Sequence, residues 1–485
     1  MEWLARIFKK RKGTAYSRPA HVFFTNSLSG TKELFIPQRP GIVSMYSCGP
    51  TVYSRAHIGN LRSFVFADTV ARVLTAANYH MRRVINITDV GHLTSDADAG
   101  EDKMALGAAR EKTTPEAIAD RYTRLFIEDL SDLNIDTDDI SFPRATDYIK
   151  EQIALAKTLE EKGFAYRLAD GLYFDTQKFP GYGKLGGLSE AQREAGARVK
   201  VALGKRHPHD FVLWRLAKPN DLQQWDSPWG RGNPGWHIEC SAMIRSLLGQ
   251  EIDIHTGGED LAQIHHNNEI AQSEAASGRT FVHYWMHSAF LTMGGEKASK
   301  SLGNVVYLSD LTEKKLDPLA LRYFFLQAHY RTPLSFSWDA VSGAAEGLNR
   351  LRKMAGVVAE ESKRKSAPSE ARNRFLVAMR DDLATPQAIA SLWESLKSED
   401  YAPEEKWGLL QDAEKHLGIP LTHFSGATTF EHEDIPEEVQ EMLAKREDAR
   451  VDKDFATADR LRNDIEHSGY RVDDGPKGPV LTKRV

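Results

Sequence analysis

The sequence predicts an α/β protein: a parallel-sheet domain split by an insertion, then a helical region and a small terminal α/β unit. Apolar runs of strand length alternate with helix-period segments from about residue 40 to 130. That alternation breaks over roughly 135–230 and resumes at "EIDIHTGG". Past about residue 340 it gives way to successive amphipathic helices.

In chain order, "GIVSMYS" (41–47) reads as a strand. Leu61, Phe64, Val65, Val73 and Leu74 then recur at helical period, and "RRVINIT" (82–88) reads as a second buried strand. This β-α-β order puts a ligand at the strand C-termini. "DYIKEQIALAKTLEEKG" predicts a helix with Gly163 as its cap, and Asp170-Gly171 marks a hairpin. The sheet resumes at 251–258, a helix starts at Asp260, and "TFVHYWMH" adds a strand. Asp317-Pro318 opens another helix as N-cap and first-turn proline. The predicted divisions are 1–20 (a basic arm), 21–134 and 231–340 (the sheet domain), 135–230 (the insertion), 341–435 (helices) and 436–485 (two helices and a hairpin).

The chain has 485 residues, 63 Lys and Arg against 68 Asp and Glu, a net charge of −5 and two cysteines. No run of about 18 apolar residues exists to span a bilayer. Two cysteines build no disulfide framework, which points to the cytoplasm. The acidic balance excludes a generally basic nucleic-acid coat but leaves local footprints at "FKKRK", "RLRKM" and "SKRKS".

His265 and Glu269 stand at i and i+4, on one helical face. With the thiolates of Cys48 and Cys240 they would make a four-coordinate set of two sulfurs, a nitrogen and an oxygen, suited to zinc. Alone, the pair reads more often as a surface pair, and each cysteine more often as a small buried apolar residue. Spacing does not join them. "HIGN" (57–60) lies at a strand-to-helix turn, where backbone N–H groups favour an anion. "MGGEKASKSLGN" (293–304) carries Lys297 and Lys300 around Ser299, a loop able to neutralise a departing pyrophosphate. In "HTGGEDL", Gly257 and Gly258 allow close backbone approach and Asp260 could take ribose hydroxyls.

Together these pieces resemble the cysteinyl-tRNA synthetase family of class I aminoacyl-tRNA synthetases. "CGPTVYSRAHIGN" is similar to the family's stretch from first zinc cysteine to HIGH signature, and "WDSPWGRGNPGWHIECSAM" to the segment with its second cysteine. "HHNNEIAQSEA" resembles its histidine-glutamate helix and "KASKSLGN" its KMSKS loop, and "HYRTPLSFS" and "DFATADRLRNDI" fit as well. The resemblance runs in the family's order from about residue 20 onward.

It implies a Rossmann-type catalytic domain with an inserted connective domain, a helical tRNA- or anticodon-binding region at 341–435 and a small C-terminal unit. It further implies a zinc ion on Cys48, Cys240, His265 and Glu269, which binds the substrate thiolate and rejects serine. Cys48, Gly49, Thr88 and Trp236 would line the cysteine pocket. His57, Asn60, Gly257, Gly258, Asp260, Lys297, Ser299 and Lys300 would bind ATP, with His57, Asn60 and the two lysines acting in catalysis. The implied reaction activates cysteine with ATP and Mg2+, then transfers it to the terminal adenosine of tRNA(Cys). The expected enzyme is a cytoplasmic monomer with no membrane association.

The sequence departs from the family pattern at several positions. Ala298 replaces the methionine of KMSKS, and Glu259, Ala262-Gln263-Ile264 and Asn267 depart in the histidine segment. "NITDVGHLTSDADAGEDKM" is long, and the tail "GPVLTKRV" lacks a tryptophan. Two rival readings are a cysteine ligase of the mycothiol type, acting on an amino sugar, and a non-catalytic RNA-binding paralogue. A long C-terminal extension speaks against the first and intact signatures against the second.

Overall fold

A computed structural model describes residues 20–95, 99–185, 204–219, 221–294, 296–297, 305–422, 436–451, 454–468, 470–475 and 478–483. The basic arm and the segment Ala298–Asn304 therefore lie outside the described residues.

Five parallel strands form the central sheet, in the order Val282–Ser288, Ile252–Gly258, Ile42–Ser47, His80–Ile85 and Ile140–Ser141. The two strands at its middle are covered on both faces: Val43, Met45, Tyr46, Ile252 and Ile254 are all at most 1% exposed, and so are the polar His255 and Thr256. The chain enters the sheet in the middle, at Ile42–Ser47, builds outward to Ile140–Ser141, and returns to build the other side. The crevice between Ile42–Ser47 and Ile252–Gly258 is thus a topological switch point, where open α/β sheets bind ligands. Ser47 and Thr256 join hydroxyls across it at 2.7 Å.

The insertion carries its own antiparallel sheet, ordered Gly232–Pro234, Phe211–Leu216, Gly171–Phe174, Ala165–Leu168. Both predicted limits of this segment shift. Ile140–Ser141 lies beyond residue 134 yet pairs with the central sheet, and Gly232–Pro234 lies beyond 230 yet pairs with the inserted one. Strands of two and three residues are too short to show a period of two. Gly163 does terminate the Ile149–Glu161 helix, at φ +78°, and Asp317 caps Pro318–Leu326 through the Leu319 N–H at 2.8 Å.

Helices Trp338–Glu361, Glu370–Arg380, Thr385–Lys397 and Pro403–Leu417 follow. Their apolar faces join the core under the sheet: Leu348, Phe375 and Leu410 share one buried cluster with Val43, Leu61 and Leu321. The terminal unit, helices Glu437–Val451 and Phe455–His467 with hairpin Tyr470–Gly475/Gly478–Lys483, packs around Val439, Ile465, Tyr470 and Val472. Among the described residues no helix is long and apolar enough to cross a membrane.

Candidate active site and metal centre

The four predicted metal-ligating residues converge at the switch point. Cys48 directly follows the Ile42–Ser47 strand, and Cys240 sits on the second turn of helix Trp236–Leu247. His265 lies in a π-helical turn, Ala262–His266, and Glu269 on the following helix, Asn267–Ser277. One ligand atom from each lies within 4.8 Å of all the others. Glu269 Oε1 is 2.9 Å from His265 Nε2 and 3.7 Å from Cys48 Sγ. Cys240, His265 and Glu269 are at most 2% exposed and Cys48 is half-buried, so an ion here would be enclosed on all but the Cys48 side.

Neighbouring histidines orient the set, as outer partners of metal ligands generally do. His237 Nδ1 meets His265 Nδ1 at 2.9 Å, which turns His265 Nε2 inward. His255 Nε2 holds the second oxygen of Glu269 at 3.0 Å. His266 lies 3.3 Å from Cys48 Sγ and is backed by His287 at 2.8 Å. His255 and His266, with Cys48 and Glu269, form a second, overlapping donor group. The two-thiolate group suits zinc better, because sulfur is its softer and stronger ligand. Sequence reasoning missed His255 and His266. The only signal for them was a histidine inside a buried strand and a His-His doublet.

Electrostatics ready Glu269 and Cys240 as ligands and keep protons on His265 and Cys48. Burial opposes charge on Glu269, but His255 and His265 outweigh it and hold the carboxyl at about 2. Burial likewise opposes the His265 imidazolium, yet Glu269 and Cys240 raise it to about 10. A hydrogen bond from Cys48 draws Cys240 down to about 6 against burial, while burial pushes Cys48 up. A divalent cation entering this set displaces the remaining protons.

The predicted amino-acid pocket adjoins it. Trp236, one helical turn before Cys240, lays its ring 4.4 Å from that of His265. Its helix starts at Gly235, where a Cβ would lie 2.0 Å from the Val212 carbonyl of the inserted sheet, so glycine lets the two elements touch. Gly49 is held by Asn86 Oδ1 at 2.8 Å, and a Cβ there would lie 1.6 Å from the Asn86 carbonyl. Thr88, 2% exposed, receives the Asn86 amide at 3.0 Å.

On the predicted nucleotide side, His57 and Asn60 cap helix Ile58–Ala76 reciprocally. His57 Nδ1 accepts from the Asn60 N–H at 3.3 Å, and Asn60 Oδ1 accepts from the His57 N–H at 3.2 Å. No acidic residue occupies the first turn, so no carboxylate offsets the positive end of the helix, although the Ile58 N–H is already given to the Val306 carbonyl at 2.9 Å. Gly257 and Gly258 end the Ile252–Gly258 strand, and a Cβ on Gly257 would press to 2.8 Å on His266. Asp260 follows, exposed. Lys297 lies in a two-residue strand paired with Leu291–Met293, and Ser299 and Lys300 lie outside the described residues.

Two departures acquire structural accounts. Asn267 accepts from Leu185 N–H at 3.1 Å and donates to Leu185 O at 2.9 Å, tying the insertion to the π turn. A carboxylate at 267 has no proton to donate. Glu259 accepts the Phe290 N–H at 2.8 Å, and its charge faces Arg62, whose guanidinium is wrapped by the carbonyls of Ala289, Phe290 and Thr332. This clasp fixes the backbone leading into the lysine loop. Glu259→Ser should cost about 1–3 kcal/mol of unfolding free energy, and Glu259→Gln, which keeps the acceptor, less. Urea titration of the two variants tests the order, and equal losses would count against the clasp.

The sheet order and the switch-point site are those of an open α/β fold that binds its ligand at the strand C-termini, and the family match over residues 34–346 makes it a class I aminoacyl-tRNA synthetase. The class I (C) tRNA synthetase catalytic-domain family matches residues 34–346, and the cysteinyl-tRNA ligase anticodon-binding-domain family matches 432–478. The chain belongs to the cysteine–tRNA ligase family. It is 47% identical to cysteine–tRNA ligase 1 of Burkholderia lata, over 93% of this chain and 95% of that protein. It is 43% identical to the cysteine–tRNA ligase of Chlorobium luteolum, over 94% and 98%. In fold it is similar to Mycobacterium tuberculosis methionyl-tRNA synthetase in complex with methionyl-adenylate. There the TM-score is 0.53 at 18% identity, over 79% of this chain and 91% of that one. The anticodon-binding match falls on the small terminal unit and not on the helices of 341–435.

Proposed function

We propose that the chain is a cysteine–tRNA ligase in which a zinc ion held by Cys48, Cys240, His265 and Glu269 selects the substrate thiol. The observation that carries the reading is the largely buried four-donor set at the switch point with Trp236 against His265. Bound there, zinc supplies a soft Lewis acid that a thiolate satisfies and a serine hydroxyl does not. Trp236, Thr88 and Gly49 enclose the amino acid. The His57 turn orients the ATP phosphates, with Gly257, Gly258 and Asp260 on the nucleoside. Lys297 and Lys300, with Ser299, offset charge on the leaving pyrophosphate. Mg2+ accompanies the nucleotide.

The cysteine carboxylate attacks the α-phosphorus, the bond to the β-phosphate oxygen breaks, and pyrophosphate leaves. A hydroxyl of the terminal adenosine of tRNA(Cys) then attacks the acyl carbon and AMP leaves. No side-chain nucleophile takes part, so positioning and charge stabilisation carry the rate. The helices of 341–435 and the terminal unit hold the tRNA. Thiolate ligands fit a reducing cytoplasm, and one chain carries a whole site, as a monomer requires.

Charging of tRNA(Cys) with labelled cysteine, and with serine in parallel, tests the proposal. Cysteine should be transferred and serine should stay at background. Cysteine-dependent pyrophosphate exchange without tRNA charging would favour the amino-sugar ligase, and tRNA binding without exchange would favour the inactive paralogue.

A further inference from the structure

We infer that Lys103 is the cation that receives the carboxylate of the substrate amino acid, an inference that rests on the pocket reading above. The chain leaves the pocket wall at His92, forms the antiparallel pair Leu93–Ser95 and Ala99–Asp102, and returns with the Lys103 N–H bonded to the His92 carbonyl at 2.8 Å. The long segment that distinguishes this sequence therefore begins and ends at the site. Asp102 fixes the return. It caps helix Lys103–Glu111 through the Ala105 N–H at 2.9 Å, and it fits against Gly91, where a Cβ would lie 2.0 Å from Asp102 Oδ2. His92 is anchored in turn on Glu239 at 2.7 Å, next in sequence to Cys240.

Lys103 thus starts its helix with its ammonium 5.4 Å from the centroid of Trp236, whose ring lies 4.4 Å from that of the metal-set residue His265. Trp236 thus neighbours both the ammonium and the donor set. A cysteine held by its sulfur carries its carboxylate carbon three bonds away. Beside the indole, that carboxylate would come within reach of the Lys103 ammonium. The chemistry needs such a group, since carboxylate and α-phosphate are both anionic and a nearby cation offsets their repulsion. In the alternative, the ammonium serves the fold alone, by packing on the indole face and on its protein neighbours.

Cysteamine, which is cysteine without its carboxylate, separates the two accounts in the full-length zinc-loaded enzyme. Lys103→Met should raise the KM for cysteine in pyrophosphate exchange at least about tenfold. The KM for ATP and the inhibition constant of cysteamine should stay within about twofold, with zinc content and thermal midpoint as in the wild type. Lys103→Arg, which keeps the charge, should recover most of the loss. Parallel weakening of cysteine and cysteamine, or no change in either, would overturn the inference. Failure of both to bind the wild-type protein would instead overturn the pocket reading itself.

Discussion

Cys240→Ser is expected to lower cysteine-dependent pyrophosphate exchange by about 100-fold or more and to leave the protein depleted of zinc after dialysis. The substitution removes one atom's chemistry with little change of shape. Cys240 is 2% exposed, and the hydrogen bond from Cys48 draws its thiol down against burial, so of the two thiols it is the readier to ionise. A serine hydroxyl there does not ionise. Cys48, His265 and Glu269 would keep a three-donor set of lower affinity for zinc. Folding should survive, because the His265–Glu269 and His255–Glu269 contacts do not involve Cys240. Metal analysis and exchange kinetics on the same preparation check the result. Wild-type zinc content with unaltered preference for cysteine over serine would remove these ligands from the proposal.

The helix that the structure places at Ile58–Ala76 was legible locally from its periodicity, but its reciprocal His57–Asn60 cap was not. The His265–Glu269 pair was legible too, at i and i+4. The joining of Cys48 to Cys240 was not. It depends on which strands become neighbours: Cys48 comes to the site because Ile42–Ser47 pairs with Ile252–Gly258, some two hundred residues later. That pairing came from resemblance to a family and not from spacing. The supporting histidines were hidden for a related reason. His255 lies in a strand buried on both faces, where alternation gives no clue to which side chains face a site. Ile140–Ser141 and Gly232–Pro234 escaped because pairing partners, not propensity, make them strands.

The largest stability effect is expected far from the donor set, at Asp68→Asn, with a loss of about 3–5 kcal/mol. Asp68 lies on the helix that His57 caps, 1% exposed. It receives Arg72 at 2.5 Å, Arg322 at 2.7 Å and Arg83 at 3.5 Å. Arg322, fully buried, also donates to the carbonyls of Leu417 at 2.7 Å and Leu133 at 2.8 Å. One carboxylate thus holds together the signature helix, the Leu133 loop and the end of the Pro403–Leu417 helix. Burial lowers Arg322 to about 10, so it remains a cation at neutral pH and loses its counter-charge in the variant. The acid limb gives an independent check. Burial opposes ionisation of Asp68, but Arg322, then Arg72 and Arg83, take its carboxyl down to about 2. A carboxyl depressed on folding stabilises above its unfolded value, near 4, and that contribution is lost as pH falls from about 4 to about 2. It amounts to about 2 kcal/mol, and the rest of the loss in the variant comes from leaving guanidiniums buried without a partner charge. Urea midpoints of the wild-type protein should therefore fall between pH 4 and 2 more steeply than those of Asp68→Asn. Similar midpoints at pH 7 and parallel acid limbs would show that the three arginines stabilise the junction without this carboxylate.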